Sequence, residues 1–312
     1  MQNPNHWTAS STPELGLVCI TASPLVRYRA LTRKRLLQLE PAEQGRVLRE
    51  LYAENLRRLG VAISFCHSEG IHLYRLGSNL FPFADDPLGA DILEEFGGAM
   101  GQVGVRATEC QVRLVLHPDQ FVVLSSDRPE VIDNSIKILT MHARIFDLLG
   151  LPRSSWALMN IHGGKSDRAD RLIQVIRDLP DPIRLRLTLE NDEYAYSTSE
   201  LLEVCRATGV PLVFDAHHHV IHEQLDTYEA PSVGKMVLAA RSTWSVPAWQ
   251  LVHISNGDQS FNDQRHSELI SLMPSSYRNV PWIEVEAKRK EEAIAKLRQE
   301  WIPHLSPLPA LS

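Results

Sequence analysis

Eight short apolar runs alternate with longer amphipathic segments along this 312-residue chain. The short runs are rich in branched apolar side chains, as expected for strands of a parallel sheet that is buried on both faces. The longer segments have helical spacing, so the sequence predicts repeated β-α units. The predicted strands are Leu15–Ile20, His72–Gly77, Val112–His117, Trp156–His162, Leu185–Glu190, Val210–Asp215, Gln250–Ile254 and Trp282–Glu286.

Eight β-α units can close into a barrel or form a doubly wound open sheet. A G-x-G-x-x-G motif after the first strand would favour the open sheet, and the sequence has none there. The chain length suits one barrel, which typically takes about 250 residues plus insertions. We therefore predict an α/β fold, a single-domain (β/α)8 TIM barrel over residues 14–302, with a flexible N-terminal tail (1–13) and a C-terminal tail (303–312).

Local signals predict where some of the helices begin and end. Ser199 is expected to begin the helix before the sixth strand, and Gly209 is expected to end it. The residue before a proline disfavours helical backbone, so Glu40–Pro41 should divide the stretch 33–69 into two helices.

Composition excludes several classes of protein. No apolar run approaches the roughly 18 residues that span a bilayer, and residues 1–13 lack the apolar stretch of a signal peptide. We expect a cytoplasmic protein with no membrane contact; no feature indicates an obligate protein partner, so we also expect a monomer. The net charge of −6 argues against a surface that binds polyanions everywhere, but it permits a local DNA-binding face.

Strand after strand reads apolar until its carboxyl end and then presents a residue type that binds metals. The residues are His117, His162, Glu190, Asp215, His253 and Glu286. An ionisable group in a buried parallel strand needs a partner or a metal, and in a barrel all carboxyl strand ends meet on one face. Imidazole and carboxylate together suit Zn²⁺, Mn²⁺ or Fe²⁺.

Each of these residues also has a simpler interpretation. A single strand-end histidine is more often a hydrogen-bonded structural residue, and a lone carboxylate is often an ion-pair partner or a helix cap. Their occurrence together on six strands favours the metal site. His266 follows the seventh strand within reach of the same face, whereas strand alternation does not select among the histidines at 217–219.

Strand alternation also places three charged residues inside the barrel below the ligands. They are Arg75, Arg186 and Glu284. An unpaired buried charge is very costly, so we predict a buried ion pair with a structural role.

The runs that contain these residues resemble the UV damage endonuclease family. They are Leu114–Phe121 (LVLHPDQF), Asn160–Gly164 (NIHGG), Leu189–Asp192 (LEND), Asp215–His218 (DAHH), Val252–Ser255 (VHIS) and Val285–Lys288 (VEAK), with further likeness at Leu15–Cys19, Tyr74–Gly77 and Phe81–Phe83. The resemblance covers roughly Leu15 to Lys288 in the family's order and spacing, which is more specific than any single motif.

The resemblance implies the barrel of endonuclease IV with two or three divalent ions, Mn²⁺ first and Zn²⁺ or Fe²⁺ as alternatives. It assigns His117 and His162 to one ion, Glu190 as a bridge to a second ion held by Asp215, His253 and Glu286, and His218 and His266 to a third. Among these, Glu190, His253 and Glu286 are the expected catalytic group. Asp86, where at least some members have histidine, is a further ligand candidate.

The same resemblance implies incision of damaged double-stranded DNA on the 5′ side of UV photoproducts, both cyclobutane dimers and 6-4 photoproducts, with abasic sites as further substrates. Gln120 and Phe121 would wedge into the helix at the lesion; the simpler alternative is a loop glutamine beside a core phenylalanine. Candidate phosphate contacts are Arg27, Arg29, Lys165 and Lys288, although such clusters are often merely solvated. The chain departs from the family at Leu17, in place of an aromatic residue, and at Leu251, in place of a lysine.

A metal-dependent sugar isomerase or epimerase is the main rival interpretation, because that branch of the same architecture also binds divalent ions through His, Asp and Glu. The number of histidines and the Gln120–Phe121 pair favour the nuclease. A metal-free barrel used as a binding module would leave the carboxylates at the strand ends unexplained.

Overall fold

The structure, a computed structural model, describes residues 12–305. Within this range eight parallel strands close into a barrel in chain order, and the last strand pairs with the first. The strands are β1 Glu14–Val18, β2 Leu73–Leu76, β3 Arg113–Leu116, β4 Met159–His162, β5 Leu187–Glu190, β6 Leu212–Asp215, β7 Leu251–Ile254 and β8 Trp282–Val285. Every predicted strand is found, so the predicted (β/α)8 barrel is confirmed. The predicted tails, 1–13 and 303–312, lie largely outside the described residues.

Helices surround the barrel. They are α1 Arg33–Leu37, α2 Pro41–Ser68, α3 Pro87–Glu95, α4 Gly97–Glu109, α5 Pro129–Leu148, α6 Ala169–Asp178, α7 Asp181–Arg184, α8 Thr198–Thr208, α9 Ala216–His222, α10 Pro231–Arg241 and α11 Lys290–Glu300. The predicted division at Glu40–Pro41 is confirmed, because α1 ends before it and α2 begins at Pro41.

Among the described residues, no helix combines the length and apolar character needed to cross a membrane.

The start of α8 differs from the prediction. Ser197, not Ser199, caps the helix: its hydroxyl accepts from the Glu200 backbone N–H at 3.2 Å, and the Glu200 carboxylate accepts from the Ser197 N–H at 2.8 Å. This capping box requires the serine three residues before the glutamate, a spacing that Ser199 does not have. The predicted end is confirmed, since Gly209 adopts the left-handed conformation (φ 77°) that glycine tolerates best.

Strand register brings the polar strand ends together. His162 on β4 pairs with Glu190 on β5, and Asp215 on β6 pairs with His253 on β7. Residues from distant parts of the sequence thus become neighbours at one mouth of the barrel, which is where the architecture places active sites.

The interior below this mouth is filled by an apolar layer. The layer consists of Leu73, Val115, Leu158, Val213 and Leu251. Each of these residues comes two positions before a polar residue at the mouth, so both side chains are on the same side of the strand. Beyond it, the buried Arg113 guanidinium lies over the rings of Trp156 and Trp282 and donates from Nε to the Trp156 carbonyl at 2.8 Å. The barrel interior is therefore packed with side chains and closed below the mouth.

The predicted buried ion pair is confirmed for two of its three members. Arg75 Nη1 lies 2.9 Å from Glu284 Oε2 inside the barrel. The placement of Arg186 was wrong: β5 begins at Leu187, two residues after the predicted start, and the Arg186 guanidinium pairs with Asp147 of α5 at 2.9 Å. Arg186 lies in the turn before β5, where the alternation of a strand does not determine the direction of a side chain.

A buried histidine on α5 should make the stability of the protein depend on pH. Burial lowers the pKa of His142 to about 4, whereas an unfolded histidine titrates near 6.5. The unfolded chain therefore binds a proton that the folded chain excludes, and stability falls as the pH drops below about 6.5. We expect this one group to account for about 2 kcal/mol of lost stability between pH 7.5 and pH 5.

Urea unfolding at both pH values, for the wild type and for His142→Gln, isolates this contribution. The variant should lose less stability on acidification than the wild type does. An equal loss in the two proteins would show that His142 is not the group responsible.

Candidate metal centre

Glu190, the last residue of β5, lies at the centre of the mouth and is 1% exposed. Its Oε2 is 3.2 Å from His117 Nε2, and its Oε1 is 3.0 Å from His253 Nδ1 and 3.4 Å from His218 Nδ1. Burial alone would raise the pKa of Glu190, but the neighbouring imidazoles of His253 and His162 outweigh it and hold the pKa well below its usual range. The carboxylate is therefore ionised and available as a ligand.

A first group of potential ligand atoms combines His117, His162 and Glu190 within 4.8 Å of one another. His162 ends β4, and His117 directly follows β3. The Nδ1 atom of His162 is buried and has no hydrogen-bond partner among the described residues. A buried nitrogen without a partner is costly in a folded protein unless something else, such as a metal ion, satisfies it.

A second group consists of Glu190, Asp215 and His218. Asp215 ends β6 and caps α9: its Oδ1 accepts from the backbone N–H groups of His217 at 2.6 Å and His218 at 2.9 Å. Its Oδ2 is buried and has no hydrogen-bond partner in the described part of the chain. The cap fixes the carboxylate through one oxygen, so the other is left for a cation.

The local geometry of α9 distinguishes His218 from its two neighbours. His217 uses both ring nitrogens, with Nδ1 2.7 Å from Tyr228 Oη and Nε2 2.9 Å from a backbone carbonyl. His219 is likewise engaged, with Nδ1 3.1 Å from Thr198 Oγ1. Of the three, His218 is the one that reaches Glu190; the resemblance had selected His218 as a ligand, but for a third ion shared with His266.

A third group combines His253, Glu284 and Glu286. Glu286 Oε1 lies 3.4 Å from His253 Nδ1, and Glu286 Oε2 lies 3.7 Å from His266 Nε2. Glu284 was absent from the predicted ligands, although alternation along β8 already placed it on the same side as Glu286. The grouping also differs from the one the resemblance implied, because Asp215 joins His218 and His266 joins Glu286.

Asp86, the remaining ligand candidate, lies elsewhere. It occupies the N-cap position of α3 and forms ion pairs with Arg33 at 2.7 Å and with Lys137 at 3.3 Å. Two cations thus already engage its carboxylate, and it belongs to none of the three ligand groups of the described residues.

The four candidate phosphate-binding residues occupy different positions. Arg29 lines a cavity of about 640 Å³ above Glu190, and Lys165 lines an adjoining cavity of about 540 Å³. Lys165 is paired with Asp127. The remaining two are engaged in their own loops: Arg27 donates to the Thr21 and Val26 carbonyls, and Lys288 lies 2.8 Å from Asp258.

The lesion-recognition candidates lie on the rim of the larger cavity. Gln120 and Phe121 both line it, together with His117, His162, Glu190, His218, His266 and Glu286. Phe121 is 68% exposed, so the alternative of a core phenylalanine does not hold. The exposed ring is therefore free to contact a ligand that enters the cavity.

The three groups combine nitrogen and oxygen donors, and within residues 12–305 Asp215 and His162 each have one buried atom without a hydrogen-bond partner. Such a donor set suits a first-row divalent ion better than Ca²⁺ or Mg²⁺. Ligand binding to the folded state should therefore stabilise the protein, by about 2.7 kcal/mol at a hundredfold excess over the dissociation constant. For a chain of this size, we expect each bound Mn²⁺ to raise the melting temperature by about 4 °C relative to chelated protein.

Differential scanning calorimetry with excess chelator, then with added Mn²⁺ or Ca²⁺, measures this effect. Ca²⁺ should stabilise the protein less, because imidazole is a poor ligand for it. Equal melting temperatures in chelator and in Mn²⁺ would contradict a metal site.

Comparison with known proteins gives one consistent result. The family model described as UV-endonuclease UvdE matches residues 13–307. The UV DNA damage endonuclease of Nostoc sp. is 58% identical over 295 residues (94% of this chain and 92% of the relative), and that of Deinococcus radiodurans is 53% identical over 291 residues (92% and 95%). The crystal structure of SacUVDE matches with a TM-score of 0.76 and 24% identity, covering 92% of this chain and 98% of that one, which supports the fold.

Proposed function

This chain belongs to the UV-endonuclease UvdE family, and we propose that it is a metal-dependent endonuclease that cuts double-stranded DNA at sites of UV damage. The observation that carries the proposal is the convergence of three potential ligand groups on one mouth of the barrel, with Glu190 shared by two of them. A sugar isomerase of the same architecture is disfavoured by the family membership and by the exposed Phe121 on the rim.

Eight residues would hold two or three divalent ions, with Mn²⁺ as the first candidate. They are His117, His162, Glu190, Asp215, His218, His253, His266 and Glu286. Bound ions of this kind make water acidic enough to supply hydroxide near neutral pH and offset negative charge on a phosphate diester. Asp86 is left out of the proposed set because Arg33 and Lys137 already engage it.

The chain's own residues hold the central carboxylate in position. Asn160 donates from Nδ2 to Glu190 Oε2, and its Oδ1 accepts from the Thr188 hydroxyl at 2.9 Å. Such outer partners orient metal ligands and affect affinity by about 10- to 100-fold. Glu190, His253 and Glu286 form the proposed catalytic group, because their donor atoms face one another at 3.0 and 3.4 Å.

Lesion recognition is assigned to the rim. Ser78 donates to the Asp119 side chain at the start of the loop that carries Gln120 and Phe121, the Val122 N–H donates to the Asp119 carbonyl and closes a turn, and the Val123 N–H donates to Ser135 Oγ of α5 at 2.9 Å. A photodimer is already poorly stacked, and its displacement from the helix costs less than that of an intact pair. Arg29 and Lys165, which line the two cavities, are the better placed of the phosphate-binding candidates.

We further assign incision to the 5′ side of cyclobutane dimers and 6-4 photoproducts, with abasic sites as additional substrates. The test is to incubate purified protein and Mn²⁺ with end-labelled duplexes that carry one photodimer or none. The proposal predicts a single nick 5′ to the lesion that leaves a 3′-hydroxyl extendable by a polymerase. Absence of a damage-dependent nick would contradict it, and a nick on the 3′ side would contradict the assigned polarity.

A further inference from the structure

Arg75 lies in the wall of the proposed metal centre. It is the third residue of β2, its side chain is 13% exposed, and it lines the 640 Å³ cavity above Glu190. Its Nη1 atom contacts two carboxylates, Glu284 Oε2 at 2.9 Å and Glu286 Oε1. Through Glu286 the guanidinium is joined directly to a proposed metal ligand.

Much of the hydrogen-bonding capacity of this guanidinium is unused. An arginine offers five N–H donors in a planar fork, and the contacts to Glu284 and Glu286 engage Nη1 alone. Among the described residues, the Arg75 Nε is buried without a partner and Nη2 makes no hydrogen bond. A purely structural counter-ion for Glu284 would not require Nη2 to be left open beside a cavity.

The position of the open donors defines the class of ligand. The cavity that Arg75 lines is also lined by His117, His162 and Glu190, so an oxyanion bound beside these residues would lie within reach of the free Nη2. Arginine can pair with carboxylates through one nitrogen and bind an oxyanion through another nitrogen held in the same plane, a geometry that lysine does not reproduce.

We propose that Arg75 is a catalytic residue that binds a non-bridging oxygen of the phosphate to be cut through Nη2, while Nη1 remains paired with Glu284 and Glu286. This inference rests on the proposed nuclease function. Fixed donors aimed at oxygens that gain charge during the reaction lower its barrier, and loss of one such donor typically slows a reaction by about 100- to 1,000-fold.

The test compares wild-type protein with Arg75→Lys and Arg75→Gln on duplexes that carry one photodimer. The scissile phosphate is either all-oxygen or has sulfur at one of its two non-bridging positions. Lysine keeps the charge that Glu284 needs but loses the fork, so Arg75→Lys should lower kcat by about 100- to 1,000-fold while metal content per chain is unchanged. Wild-type protein should cut one sulfur isomer more slowly than the all-oxygen duplex. In both variants this difference in rate should be much smaller.

Arg113→Lys is the matched control, because Arg113 is a buried arginine on the neighbouring strand at the opposite end of the barrel. It should lower thermal stability and leave the sulfur effect as in the wild type. If wild-type protein cuts the photodimer duplex but Arg75→Lys retains kcat within about threefold, or both Arg75 variants keep the full sulfur effect, Arg75 does not bind the phosphate. Failure of the wild type to cut would instead overturn the proposed function.

Discussion

Glu190→Gln is expected to lower damage-dependent incision by more than about 100-fold and to reduce the number of bound metal ions. Loss of a residue that only orients a metal ligand typically lowers metal affinity or activity by about 10- to 100-fold. Glu190 is itself a proposed ligand and belongs to two of the three ligand groups. Glutamine has nearly the same shape as glutamate but carries no negative charge. The substitution therefore removes an anionic ligand and still leaves a side chain for Asn160 to contact. Incision rates and elemental analysis of the same preparations measure both effects.

Glu200→Gln provides the control for this substitution. Glu200 is an exposed member of the capping box of α8, where glutamine serves as well as glutamate. Activity, metal content and melting temperature should match those of the wild type. If Glu190→Gln retained wild-type metal content and activity, the proposed centre would be in the wrong place.

Phe121→Ala is expected to lower the preference for photodimer-containing duplex over undamaged duplex by about 5- to 150-fold. Stacking of an aromatic side chain on a base contributes about 1–3 kcal/mol, and this ring is 68% exposed on the rim of the cavity. Because the ring is not part of the core, the variant should keep its thermal stability. Competition binding with damaged and undamaged duplexes measures the preference directly.

Leu238→Ala on α10 is the matched control, because Leu238 is also 68% exposed but does not line either cavity at the mouth. It should change neither preference nor stability. A Phe121→Ala protein that still discriminated damaged from undamaged DNA as the wild type does would remove Phe121 from lesion recognition.

The sequence alone predicted the barrel, because buried parallel strands leave long apolar runs that end at polar positions. His162, Glu190 and Asp215 were recognisable for the same reason: each ends its strand. Arg186 was misplaced because the predicted strand began two residues too early, so strand alternation was applied to a residue that lies in the preceding turn.

Features that depend on local three-dimensional geometry were harder to predict from the sequence. Strand alternation stops at Asp215, where α9 begins, so the choice of His218 came from family resemblance; the structure relates it to the Asp215 cap. The grouping of ligands around Glu190 depends on register between strands, which composition does not encode. Likewise, nothing in the loop sequence distinguishes an exposed Phe121 from a buried one.

The central claim is that the polar strand ends form one metal centre around Glu190. The most direct test is a crystal of the full chain grown with Mn²⁺ and measured near the manganese absorption edge. We predict two or three anomalous peaks at the mouth, at least one of them bound by Glu190 together with His117 and His162. A single peak, or peaks away from Glu190, would contradict the account.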